Sequence, residues 1–186
     1  MTLFRSGLIV LSALAQPAVT DLDGRAVDPL AAGDGTRVTV LVFTRTDCPV
    51  ANQMAPEIER VRTRFLRRGV RMWMVYLDPD EPLDRIRQHQ REYSLGAPAL
   101  RDAGHQLVGL TGVRVTPEAA VYVHDSASPR LVYRGRIDDR VIAPGRYRPA
   151  ATRFDLRETV EAALRGGTSL TTTPAFGCEI ADLRER

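Results

Sequence analysis

The chain of 186 residues contains no lysine: all 26 of its basic residues are Arg. A Lys ammonium forms the Schiff base of carbonyl and pyridoxal-phosphate enzymes and grips the phosphates in a Walker loop, so those chemistries are excluded at the outset. Cysteine is nearly as scarce, with only Cys48 and Cys178. Two thiols are too few for a disulfide framework, so the fold has to rest on an apolar core. No apolar run reaches the roughly 20 residues that cross a bilayer as a helix, so no stable membrane span is expected.

What is present describes a globular chain, 44% apolar and 26% charged, with a formal charge of +3 from 26 basic and 23 acidic residues. The length suits one domain able to bury most of its unfolded surface. The missing lysines read more simply as a GC-rich coding bias than as a phosphate-binding surface. The densest basic stretch carries Arg60, Arg62, Arg64, Arg67, Arg68 and Arg71. Its apolar residues Ile58, Val61, Phe65 and Leu66 recur at helical spacing, which makes the arginines the wet face of an amphipathic helix. With the whole chain near charge balance, no nucleic-acid partner is expected.

Residues 1–15 read as a secretory signal. Arg5 precedes an apolar run of about ten residues, and Ala13-Leu14-Ala15 supplies the small-x-small pattern before a cleavage point. The alternative is a buried first strand. Cleavage would place the protein in the periplasm or outside the cell, where a disulfide can persist; without it the protein is cytoplasmic.

Downstream, Val19 to Val27 suggests a small hairpin turning at Asp23-Gly24, followed by a polar loop at 31–36. Arg37 to Thr44 is a β-branched apolar run of the kind buried on both faces of a sheet. A helix is expected from Pro49 to Arg68, bent where Pro56 lacks its amide and ended by Gly69. Then come a strand at 70–77, a helix at 82–94, a short helix ending near Gly112, strands at 119–124 and 131–136, and a last helix at 154–164 stopped by Gly166-Gly167. Alternating strands and helices imply crossover units and a largely parallel sheet. The resulting expectation is an α/β domain over 17–166, with a tail at 167–186 carrying Cys178.

Cys48 follows a buried strand and opens a helix. The free amides and positive dipole end there favour an anion, so the thiol should be acidified. Arg45 would add to this and Asp47 oppose it. The bland alternative, a cysteine serving as a small core hydrophobe, fits poorly with the polar neighbours Arg45, Thr46 and Asp47.

The order strand, Thr46-Asp47-Cys48-Pro49-Val50-Ala51, helix, then Val115-Thr116-Pro117 ahead of a hairpin and terminal helix, resembles the thioredoxin fold. More closely it resembles the redoxin branch, the alkyl hydroperoxide reductase and thiol-specific-antioxidant superfamily, over about Val19 to Leu164. The resemblance implies a central mixed β-sheet flanked by helices. It also implies a cis bond between Thr116 and Pro117, packed against the reactive cysteine and presenting the preceding backbone to a peptide or thiol. An ordinary trans turn is the other possibility.

The implied function is that of a thiol-based oxidoreductase acting on disulfides or peroxides through Cys48, with Thr116 and Pro117 shaping the groove, re-reduced by an unidentified thiol donor and needing no cofactor. Two departures bear on it. The Cys-x-x-Cys pair is missing because Ala51 occupies the fourth position, and the peroxidase pattern Pro-x-x-x-Thr-x-x-Cys is broken by Leu41 and Arg45, with Thr44 and Thr46 flanking the expected site. Cys178 is the candidate resolving thiol, able to reach from the tail; a merely structural or interchain role is the alternative. A thioredoxin-fold copper chaperone would need Cys48, Cys178 and one of His105 or His124 to converge, although Asn52 stands where its second local thiol belongs. A redox-inactive binding module is the third possibility. His89 reads as a solvated helix residue and His124 as a strand-end residue. Asp138 and Asp139 read as structural: they would hold an Arg, cap a turn or face a partner.

Overall fold

The computed structural model describes residues 19–31, 33, 35–125 and 128–181, so the signal expected at 1–15 lies outside the described residues. In chain order the elements are β1 (Thr20–Asp21), β2 (Val38–Thr44), α1 (Pro49–Phe65), β3 (Val70–Tyr76), α2 (Leu83–Glu92), β4 (Ala99–Arg101), α3 (Gln106–Thr111), β5 (Val115–Thr116), β6 (Glu118–Val123), β7 (Arg130–Gly135), β8 (Val141–Ala143), β9 (Arg146–Tyr147), α4 (Asp155–Leu164), β10 (Thr171–Thr172) and β11 (Cys178–Glu179).

One seven-stranded sheet runs in the order β1-β4-β3-β2-β6-β7-β10. β2 lies at its centre, parallel to β3 and antiparallel to β6, and every one of its residues is buried. That double burial is why the segment shows no polar alternation. β3 and β4 are parallel, β6 and β7 antiparallel, and β10 returns parallel to β7. The sheet is therefore mixed, and helices cover both faces. Val38, Val40 and Val42 point into a core with Ile58, Val61 and Phe65 of α1, Ile86 of α2, and Leu156 and Val160 of α4. Leu41 and Phe43 face the opposite way, toward Leu107 and Val108 of α3 and toward Ile180 of the tail.

Helix α1 keeps Pro56 inside it and ends at Phe65, a little before the expected Arg68. The arginines within it are matched by acids. Arg60 pairs with Glu57, Arg62 with Glu59 at 2.6 Å, and Arg64 with Glu161 of α4 at 2.8 Å. The short elements β4, β8, β9, β10 and β11 were beyond sequence reasoning, because two- and three-residue strands leave no periodic signature. The tail departs most from expectation, since two of its segments join sheets.

Asp138 and Asp139 do structural work. Asp138 holds Arg140 at 2.9 Å. Asp139 accepts from the Thr152 hydroxyl at 2.5 Å and from the amides of Thr152 and Arg153 at 2.7 and 3.0 Å, pinning the approach to α4. Burial alone would raise its pKa, but these donors and Arg148 outweigh it and bring the carboxyl down to about 2. A carboxyl depressed on folding contributes stability above its ordinary value near 4 that is lost as pH falls through about 2. Asp139→Asn should therefore lower the melting temperature at pH 7 by about 2–6 °C, the worth of lost charge-assisted hydrogen bonds in a chain this size. Melting curves across pH should show that gap closing between about pH 4 and pH 2.

Candidate active site

Cys48 is the N-cap of α1, with backbone φ −84° and ψ 108°, Pro49 behind it and no acidic residue in the first turn. The non-helical cap conformation turns the sulfur across the helix start, and Pro49 has no amide to be left unpaired there. The residue has no accessible surface. Its thiol donates to the carbonyl oxygen of Thr116 at 3.0 Å, and the Thr116–Pro117 bond is cis.

The tail brings the second cysteine to the same place. β11 pairs antiparallel with β5 so that Cys178 lies opposite Thr116 and Glu179 opposite Val115. Alternation across the strands turns Cys178 toward Cys48 and Glu179 to the other face. The thiol and the backbone amide of Cys178 lie beside the Cys48 sulfur and both act to lower its pKa, and neither cysteine is in a disulfide. Gly177 is required for this approach, because a Cβ there would sit 1.9 Å from the Thr116 carbonyl oxygen.

The two sulfurs are electrostatically unequal. Burial raises the Cys48 pKa, but donors from the Cys178 thiol, the Thr116 side chain and the amides of Ala51 and Cys178 outweigh it, and the net shift is downward. The Thr116 hydroxyl is buried without a hydrogen bond of its own while Cys48 is a thiol, so a donor stands ready for the thiolate. Burial and the neighbouring Cys48 push Cys178 the other way, up to about 12. One site thus holds a sulfur prepared to ionise beside one held protonated.

Other expectations are revised. Arg45 is committed to Asp47 at 2.9 Å rather than to the Cys48 sulfur. Thr46 donates to Glu81 at 2.5 Å and Thr44 to the Arg45 carbonyl at 3.5 Å, so each hydroxyl has a partner other than the sulfur. His105 contacts the Leu77 carbonyl at 3.1 Å and His124 the Thr39 hydroxyl at 2.8 Å. Among the described residues no three His, Cys, Asp or Glu side chains gather as a metal would need, so the convergence required of a copper chaperone is not met there.

His89 is not solvated but 2% exposed. It joins the Tyr76 hydroxyl at 2.9 Å to the Asn52 carbonyl oxygen at 2.8 Å, and the Asn52 amide donates to the Thr46 carbonyl at 3.3 Å. This chain braces the turn that carries Cys48. Burial, helped by Arg85, lowers the His89 pKa and keeps the ring neutral. The signal was in the sequence: His89 follows Ile86 by three residues and precedes Tyr93 by four, on the apolar side of α2.

The sequence model of the AhpC/TSA family matches residues 13–130. The chain belongs to the AhpC/TSA family. No curated protein matches it significantly. Among solved structures, a hypothetical protein from Sinorhizobium meliloti is 26% identical, with TM-score 0.66 over 78% of this chain and 80% of its own. An uncharacterized conserved protein from Geobacillus kaustophilus is 20% identical, with TM-score 0.73 over 91% and 89%. A secreted disulfide oxidoreductase of Mycobacterium tuberculosis, homologous to Escherichia coli DsbE, is 18% identical with TM-score 0.52 over 82% and 96%. These likenesses establish a thioredoxin-like fold for this AhpC/TSA member. No helix among its described residues is long and apolar enough to cross a membrane.

Proposed function

We propose that this AhpC/TSA protein is a thiol–disulfide oxidoreductase whose redox couple is Cys48 with Cys178. The observation that carries the reading is the register of β11 on β5, which seats Cys178 opposite Thr116 and beside the Cys48 sulfur. The tail thereby supplies what Ala51 denies to the local helix turn.

In the reductive direction the Cys48 thiolate attacks one sulfur of a substrate disulfide. A Cys48–substrate disulfide forms, the substrate bond breaks, and the first substrate thiolate leaves and takes up a proton. Cys178 then attacks the Cys48 sulfur, passing its own proton to the second departing thiolate. The substrate gains two electrons as two thiols, and the chain loses two as a Cys48–Cys178 disulfide. A dithiol reductant of the cell then reduces the bridge, returning both cysteines to thiols and leaving as its own disulfide. Thr116 receives the S–H of resting Cys48 on its carbonyl and offers its hydroxyl to the thiolate, while Pro117 shapes the groove beside it. Export of the chain to an oxidising compartment fits this chemistry.

Disulfides are favoured over peroxides because Leu41 and Arg45 replace the peroxidase Pro and Thr and because Thr44 and Thr46 donate to the Arg45 carbonyl and to Glu81. The test mixes reduced protein with an aromatic disulfide that releases a coloured thiol. The native chain should release two coloured thiols per molecule, and Cys178→Ser should release one and stop as a mixed disulfide on Cys48. Equal release by the two proteins would refute the couple. Much faster oxidation by peroxide than by the disulfide would reassign the substrate.

A further inference from the structure

We propose that Thr171–Ile180 is a displaceable strap lying on the chain's own substrate edge: an external sulfur reaches Cys48 only when the strap lifts from β5, and the Cys48–Cys178 bridge holds it down. The proposal rests on the reading of Cys48 as the nucleophile, which requires an approach path to its sulfur. In the closed form there is none, since Cys48 is fully covered and part of the cover is Cys178 and Gly177, laid against Thr116. β11 fills the hydrogen-bonding edge of Val115 and Thr116, the edge an extended substrate chain would otherwise take.

The seat is specific but shallow. Thr173 is fixed by the Arg134 carbonyl at 3.1 Å, the Tyr133 hydroxyl at 2.6 Å and the Arg136 amide at 3.2 Å. Phe176 packs beside Val50, Met54 and Pro117, and Ile180 is buried against the second core. Yet β10 and β11 each pair over only two residues, against seven for β2 with β3. Thr171 and Thr172 are exposed, and Phe176, Gly177 and Cys178 are only half-buried. Upstream, Gly166 at φ +95° gives the chain a pivot before β10. Lifting this segment breaks few contacts and leaves the seven-stranded sheet intact except at its β10 edge, which suits a low-stability local opening.

The test measures iodoacetamide labelling of Cys48 across pH in the full-length chain carrying Cys178→Ser. The high-pH plateau reports access to the thiolate, and the midpoint reports its ionisation. Adding Gly177→Val, which drives a side chain into the Thr116 carbonyl, or Phe176→Ala, which empties the seat beside Pro117, should raise the plateau at least about tenfold by populating the open form. Plateaus within about twofold of the parent would overturn the proposal. So would loss of the folded domain in both variants, because a strap that lifts leaves the domain standing. Bridge formation in the native chain is read separately by mass after exposure to a disulfide. A raised plateau without a bridge would retain the strap and remove the redox couple, and a bridge with unchanged plateaus would do the reverse.

Discussion

Closing the Cys48–Cys178 bridge is expected to raise the melting temperature of the protein by about 10–20 °C. The bond would close a loop of about 130 residues (178 minus 48), and constraining a loop of that length in the unfolded chain stabilises the fold by about 5 kcal/mol on the chain-entropy model. In a chain of this size each kcal/mol moves the midpoint by about 2–4 °C. Engineered bridges often fall short because they distort the fold. Here Cys178 is already delivered to the Cys48 sulfur by β11 and by the close approach of Gly177, so little rearrangement is asked of the native state. Melting the fully reduced and fully oxidised protein in parallel checks this. Equal midpoints would mean that bridging distorts the native fold by as much as it constrains the unfolded chain.

The second large effect is on rate. Cys48→Ser should slow exchange with a small disulfide by at least about a thousandfold, because a serine hydroxyl is not ionised at neutral pH whereas a thiolate is the attacking species. Cys178 cannot replace it, since burial, the first cause of its high pKa, persists in the variant. Cys178→Ser should behave differently. Serine keeps a hydroxyl donor and the backbone amide beside the Cys48 sulfur, so the first attack remains possible and only resolution is lost. Stopped-flow traces of the two single variants separate these roles. Similar traces for both would argue against a division into attacking and resolving sulfurs.

The core of this fold was readable because its pattern is strong. The run from Val38 to Thr44 has no polar break other than threonine, and Ile58, Val61 and Phe65 repeat at helical spacing, so the central strand and first helix emerge directly. Cys48 was legible for a local reason, a thiol between a buried strand and a helix-opening proline. Its partner was not. The place of Cys178 depends on a two-residue strand pairing and on what Gly177 lies against, contacts between segments more than 60 residues apart that leave no periodic trace. His89 is a polar residue in an arginine-rich helix, which hides its burial, although its spacing from Ile86 places it on the buried side. Sequence proximity puts Arg45 near the thiolate but does not reveal that Asp47 holds it.

The central claim is that Cys48 and Cys178 form one redox couple. The most direct measurement oxidises the native full-length protein with a small disulfide, blocks remaining thiols under denaturing conditions, and maps the proteolytic fragments by mass. The account predicts a single linked pair joining the fragment that contains Cys48 to the fragment that contains Cys178, within one chain and reversed by a dithiol. Two separately blocked cysteines, or each cysteine carrying its own adduct, would contradict it.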